Sequence, residues 1–94
     1  MENEHPIKDF LWQMIAERKW KRRLREVRIR EFWSSKMGTT INRHTTELKL
    51  RGNKLYLSFD SAAIRQDMLY KKEDIKQAIN RLLGEKVITD VVIR

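Results

Sequence analysis

The chain has 94 residues, with 21 Lys and Arg against 13 Asp and Glu, a formal net charge of +8, no cysteine, one proline and three glycines. That length fits one small domain with no second core, and the lack of cysteine excludes disulfides, a thiol nucleophile and a Cys-rich zinc site, in keeping with a reducing compartment such as the cytoplasm. No apolar run approaches the roughly 20 residues of a membrane-spanning helix, and the acidic opening Met1-Glu2-Asn3-Glu4 lacks the basic-then-apolar order of a secretory signal, so a soluble cytoplasmic protein without membrane contact is expected.

Pro6 suits a first helical turn, and Ile7, Phe10, Leu11, Met14 and Ile15 follow at helical spacing with Asp9 near the positive end of the helix dipole. This predicts an amphipathic first helix, an N-terminal extension over residues 1–20 of a single domain spanning residues 1–94, which either docks on the domain or forms a dimer contact. From Trp20 the apolar positions are Trp20, Leu24 and Val27, then Ile29, Phe32, Trp33, Met37 and Ile41 in a shifted register. They predict a second helix, with a bend or short break between about Trp20 and Val27. Arg18, Arg22 and Arg25 form one row and Lys21, Arg25 and Arg28 another, expected to project away from the apolar stripe.

After Gly38 the pattern changes to alternation. Thr46, Leu48 and Leu50, then Leu55, Leu57 and Phe59, flank Arg51-Gly52-Asn53 and read as an antiparallel hairpin. Asp60 or Ser61 can cap a third helix carrying Ile64, Met68, Ile75, Ile79, Leu82 and Leu83, with a kink expected near Tyr70-Lys71-Lys72 and an end at Gly84. The β-branched run Val87–Ile93 predicts a final strand. The order α-α-β-β-α-β defines an α+β fold with helices on one face of a small three-stranded mixed sheet, all the apolar faces meeting in one core anchored by Trp33.

The charge is concentrated. Residues 16–36 carry +6 of the +8, with Arg18, Lys19, Lys21, Arg22, Arg23, Arg25, Arg28, Arg30 and Lys36 against Glu17, Glu26 and Glu31. Cations held on one surface attract phosphates and release their counterions, so nucleic acid is the expected partner class. A solvated helix face or a contact with an acidic protein is the alternative. Arg65, Lys71 and Lys72 extend the candidate surface, and Tyr56 on the outward face of the hairpin serves either as a stacking platform for single-stranded bases or as cover for the sheet.

Other constellations point away from catalysis. His44 reads as a polar tie for a loop more readily than as a phosphate contact, and Ser61 as a helix cap rather than a nucleophile with His44 and Asp60. Two distant histidines and scattered carboxylates suggest no metal site, and no Gly-Lys-Ser/Thr loop is present to cradle a nucleotide. No cofactor and no enzymatic activity are expected.

The segments Phe32-Trp33-Ser34-Ser35-Lys36-Met37-Gly38, His44-Thr45, Leu55-Tyr56-Leu57 and Asp60-Ser61-Ala62-Ala63-Ile64-Arg65-Gln66-Asp67-Met68, followed by Ile79-Asn80, Gly84 and Val87-Ile88, together resemble the DciA-like family, in its short Bacteroidetes-type form. The resemblance covers about residues 20–94. It implies a fold similar to K-homology (KH) domains and membership of a group that assists loading of the DnaB-type replicative helicase and binds DNA. Longer members carry a C-terminal extension implicated in helicase contact, which this sequence, ending at Arg94, is expected to lack, so the sequence supports binding better than it supports loading. Glycines 38, 52 and 84 cannot form the GXXG loop with which a KH domain clamps nucleic acid, so binding is expected on another surface. The reading is thus a non-catalytic nucleic-acid-binding adaptor, monomer or weak homodimer, with DNA and the replicative helicase as partners and RNA or an acidic protein as the alternatives.

Overall fold

Alternating apolar residues build the centre of the molecule. In the computed structural model, which describes residues 6–94, Thr45–Arg51 forms β1 and Lys54–Phe59 forms β2, paired antiparallel with Leu48 opposite Leu57 and Leu50 opposite Leu55. All four leucines are buried on one face. The turn between the strands is two residues long; Gly52 takes it at φ +59, where a side chain would be strained, and Asn53 keeps a negative φ. The expected mixed sheet is present: β3 (Asp90–Ile93) runs parallel to β2, with Val91 opposite Leu55, in the order β1-β2-β3.

β3 starts three residues later than the β-branched run suggested, because a side chain occupies the backbone groups just before it. The Asn80 Oδ1 accepts the N–H groups of Val87 and Ile88 at 3.1 and 2.8 Å, and its Nδ2 donates to the Ile88 carbonyl at 2.9 Å. Those groups are satisfied without a partner strand.

Four helices complete the chain: α1 (Pro6–Lys36), α2 (Gly38–His44), α3 (Ala62–Tyr70) and α4 (Lys72–Leu83). The break expected between Trp20 and Val27 is absent, and α1 continues unbroken for 31 residues. The register shift there comes from two apolar rows on different sides of one helix. The chain turns instead at Met37-Gly38, Gly38 having φ +83. The kink expected near Tyr70–Lys72 is a full break at Lys71 that separates α3 from α4. Ser61 caps α3 by accepting the Ile64 N–H at 3.3 Å, and Gly84 closes α4 in the left-handed conformation.

The core comprises Ile29 and Trp33 from α1, the inward residues of the three strands, Met68, Ile75, Ile79 and Ile88. Trp33 is its anchor: it lies 6.3 Å from the Phe59 ring, and its indole N–H donates to Thr45 Oγ1 at 3.1 Å. The expectation that every apolar row meets in this core is overturned. Phe10, Leu11, Ile15, Trp20, Leu24 and Val27 are all exposed. A helix of this length spans about 46 Å, while the rest of the domain covers only its C-terminal half. The described residues therefore extend 59 × 23 × 21 Å with a radius of gyration of 16.8 Å, against about 12 Å for a compact chain of this size. The acidic opening Met1–Glu4 lies outside the described residues.

Candidate nucleic-acid interface

Steps of four and three residues connect Leu11, Ile15, Arg18, Arg22, Arg25, Ile29, Phe32 and Lys36 along α1. On an α-helix such steps keep to one side, so Arg18, Arg22 and Arg25 stand in line with the core residue Ile29. This corrects the expectation that the cation rows point away from the apolar stripe. Arg18, Arg22 and Arg25 point away from the Trp20–Leu24–Val27 row, which faces solvent, while Lys21 and Arg28 stand beside that row.

Where α1 passes β1, its side chains cover the free strand edge. The Glu26 carboxylate accepts the Leu50 N–H at 2.9 Å, the Arg30 guanidinium donates to the Leu48 carbonyl at 2.9 Å, and the two side chains lie 3.6 Å apart. An edge strand left bare is a template for unwanted pairing, which this pair of side chains blocks. Arg28 donates to the Leu82 carbonyl at the end of α4 (3.0 Å), and Arg25 approaches Glu85 at 3.5 Å. Lys21 pairs with Glu17 at 3.6 Å on the exposed surface. Arg18, Lys19, Arg22 and Arg23 have no ion-pair partner among the described residues.

Arg22 and Arg23 converge with Lys49 and Arg51 of β1 around a cleft of about 420 Å³ that also includes Glu26 and Leu50. Four cations and one carboxylate line it, and that carboxylate is already engaged by Leu50 and Arg30. Lys49 and Arg51 were not among the residues singled out in the sequence. Their signal was the outward phase of the β1 alternation next to the turn, a phase that by itself describes any solvated strand face. The cleft continues onto the helix-free face of the sheet, where Lys49 lies opposite Tyr56 and Arg51 opposite Lys54. Tyr56 is half-buried there, with the Arg94 guanidinium 5.0 Å from its ring centroid. Arg94 in turn reaches Glu47 at 3.1 Å, and the Ser58 hydroxyl donates to the same carboxylate at 3.2 Å.

The other expected cations are not brought to this cleft. Arg65 is half-buried and donates to the Phe59 carbonyl at 2.8 Å. Lys71 pairs with Asp67 at 3.1 Å and Lys72 with Asp90 at 3.8 Å. His44 Nδ1 lies 2.7 Å from Asp60 Oδ1 while the Asp60 N–H donates to the His44 carbonyl, so this pair ties the start of β1 to the end of β2. Ser61 is occupied as the α3 cap. Among the described residues, no cluster of His, Asp and Glu is arranged to hold a metal ion, and no helix is long and apolar enough to cross a membrane.

The fold and this surface define a small basic α+β domain with cations gathered where α1 meets β1. The family described as Dna[CI] antecedent, DciA, matches residues 6–93, and the chain belongs to it. Membership implies a role in loading the replicative helicase in DNA replication. No curated protein and no solved structure matches the chain. Several residues in the segments that resemble the family hold the fold together: Trp33 with Thr45, Gly38 at its turn, His44 with Asp60, Ser61 at its cap, Asn80 on its loop and Gly84 at the end of α4.

Proposed function

We propose that the protein is a non-catalytic, cytoplasmic adaptor that binds nucleic acid through the α1–β1 cleft and brings it together with the replicative helicase. One observation carries this reading: Arg22, Arg23, Lys49 and Arg51, drawn from two elements, converge on one cleft whose sole acidic lining residue is neutralised within the domain. Such a site offers phosphates several cations at once and releases their counterions on binding. Arg18 and Lys19, on the part of α1 that extends beyond the sheet, lengthen the track. Arg25, Arg28 and Arg30 contribute to the field while also bonding within the domain. Tyr56 supports Arg94 on the adjoining sheet face, and Arg65, Lys71 and Lys72 act as background charge.

DNA is the favoured ligand because the family acts in replication. Competition between single-stranded DNA and RNA of the same sequence checks that choice. The adaptor reading is tested by co-purification of the DnaB-type helicase from cells, with and without nuclease. A nuclease-resistant complex is expected. A complex that disappears with nuclease leaves only nucleic-acid binding, and no complex in either condition removes the helicase from the account.

A further inference from the structure

α1 carries a second apolar row that none of the described residues covers. Trp20, Leu24 and Val27 follow one another at steps of four and three residues and are 64%, 45% and 48% exposed. They form a ridge about 10 Å long on the side of the helix away from Ile29 and Trp33. Cations flank it on both sides, Lys19 and Arg23 along one and, along the other, Lys21 and Arg28, which also contact Glu17 and the Leu82 carbonyl; Glu17 stands three residues before the ridge and Glu31 four residues after it.

These flanks restrict what can cover the ridge. A second copy of the chain would bring the same +6 segment against it, and like charges facing each other across a contact oppose association. Nucleic acid would satisfy the cations and stack a base on Trp20, but Leu24 and Val27 have no π face, and a hydrated sugar–phosphate backbone gives them nothing apolar to bury against. A helix with an apolar stripe and carboxylates along its flanks meets both requirements: its stripe packs on Trp20, Leu24 and Val27 while its acids pair with the flanking cations.

We propose that this ridge docks an acidic amphipathic helix of a partner protein. The inference does not depend on nucleic acid entering the α1–β1 cleft. Two labelled peptides of about five helical turns test it with the full chain, by fluorescence anisotropy. One places leucines on a single face with glutamates on both flanks, and the other has the same composition with the leucines scattered around the helix.

The amphipathic peptide is expected to bind about tenfold tighter than the scattered one, since only it can bury a stripe on the ridge. Trp20→Ser, Leu24→Ser and Val27→Ser combined should bring it down to the scattered level while changing affinity for an oligothymidylate by less than about twofold. Leu24→Ser alone, a milder change, should lose about threefold. Equal binding of the two peptides, or no binding of either, overturns the proposal. So does a folded triple variant that keeps the peptide and loses the oligonucleotide, which would make the ridge a nucleic-acid surface.

Discussion

Glu26 and Arg30, one helical turn apart on α1, share between them two backbone groups on the free edge of β1: Glu26 takes the Leu50 N–H and Arg30 the Leu48 carbonyl. The same pairing turns the carboxylate away from acting as a counter-ion for Arg22 and Arg23. Glu26→Gln keeps an acceptor for Leu50 and removes the only negative charge lining the cleft. It should cost less than about 1 kcal/mol of stability and, because Arg30 already balances that charge, change nucleic-acid binding at low salt by less than about twofold. Glu26→Ala leaves the Leu50 N–H without its partner and should cost about 1–3 kcal/mol. Urea denaturation and anisotropy on the same samples check both parts.

The Trp33–Thr45 contact joins α1 to β1 through the core. The Thr45 hydroxyl accepts from the indole and donates to the Ile41 carbonyl at 2.6 Å, so one oxygen serves two partners. Thr45→Val should therefore cost about 1–3 kcal/mol despite conserving volume, and Trp33→Ala about 3–5 kcal/mol through the cavity it leaves. Denaturant midpoints measured at constant slope would show whether the loss is one of stability alone.

The two halves of α1 should respond oppositely to substitution. Phe10→Ser, Leu11→Ser and Ile15→Ser remove exposed apolar groups that touch no core residue, so each should change stability by no more than about 0.5 kcal/mol. Ile29→Ala, on the same side of the helix as Leu11 and Ile15 but buried, should cost about 2–5 kcal/mol. Comparable losses in both halves would mean that the first half packs on the domain after all.

The cations of α1 divide into two groups, and stability separates them. Arg28→Ala and Arg30→Ala remove donors to the Leu82 and Leu48 carbonyls and should each cost about 0.5–1.5 kcal/mol. Arg22→Ala and Arg23→Ala should leave the melting temperature within the scatter of surface substitutions while weakening nucleic-acid binding and shallowing its salt dependence. Thermal melts alongside salt titrations give both quantities.

Much of the fold was legible in the chain because strand alternation and helix punctuation are local. Leu48, Leu50, Leu55, Leu57 and Phe59 disclose both strands and their inner face, and Ser61 and Gly84 mark the ends of the helical segment between them. What local pattern could not disclose was which of the two apolar rows on α1 meets the core. Trp20, Leu24 and Val27 are as periodic as Ile29, Phe32 and Trp33, and only packing against the sheet distinguishes them. The change from one row to the other therefore imitates a break. The site was half legible for a related reason. The charge excess of residues 16–36 is visible in composition, but the partners that make a cleft of it, Lys49 and Arg51, come from a strand that reaches Arg22 and Arg23 only through the tertiary fold. Conversely, Arg30 and Arg65 looked like surface cations until their carbonyl partners were seen.

The central claim is that phosphates bind where Arg22, Arg23, Lys49 and Arg51 converge. Its most direct test is the affinity of a labelled oligothymidylate for the full chain and for the quadruple variant Arg22→Glu, Arg23→Glu, Lys49→Glu and Arg51→Glu, measured between about 50 and 200 mM salt. The wild-type affinity should fall steeply as salt rises. The variant, with its melting temperature retained, should bind at least about tenfold more weakly at low salt, with a slope shallower by about 0.7 for each phosphate contact removed. A folded variant with unchanged affinity and unchanged slope would contradict the claim.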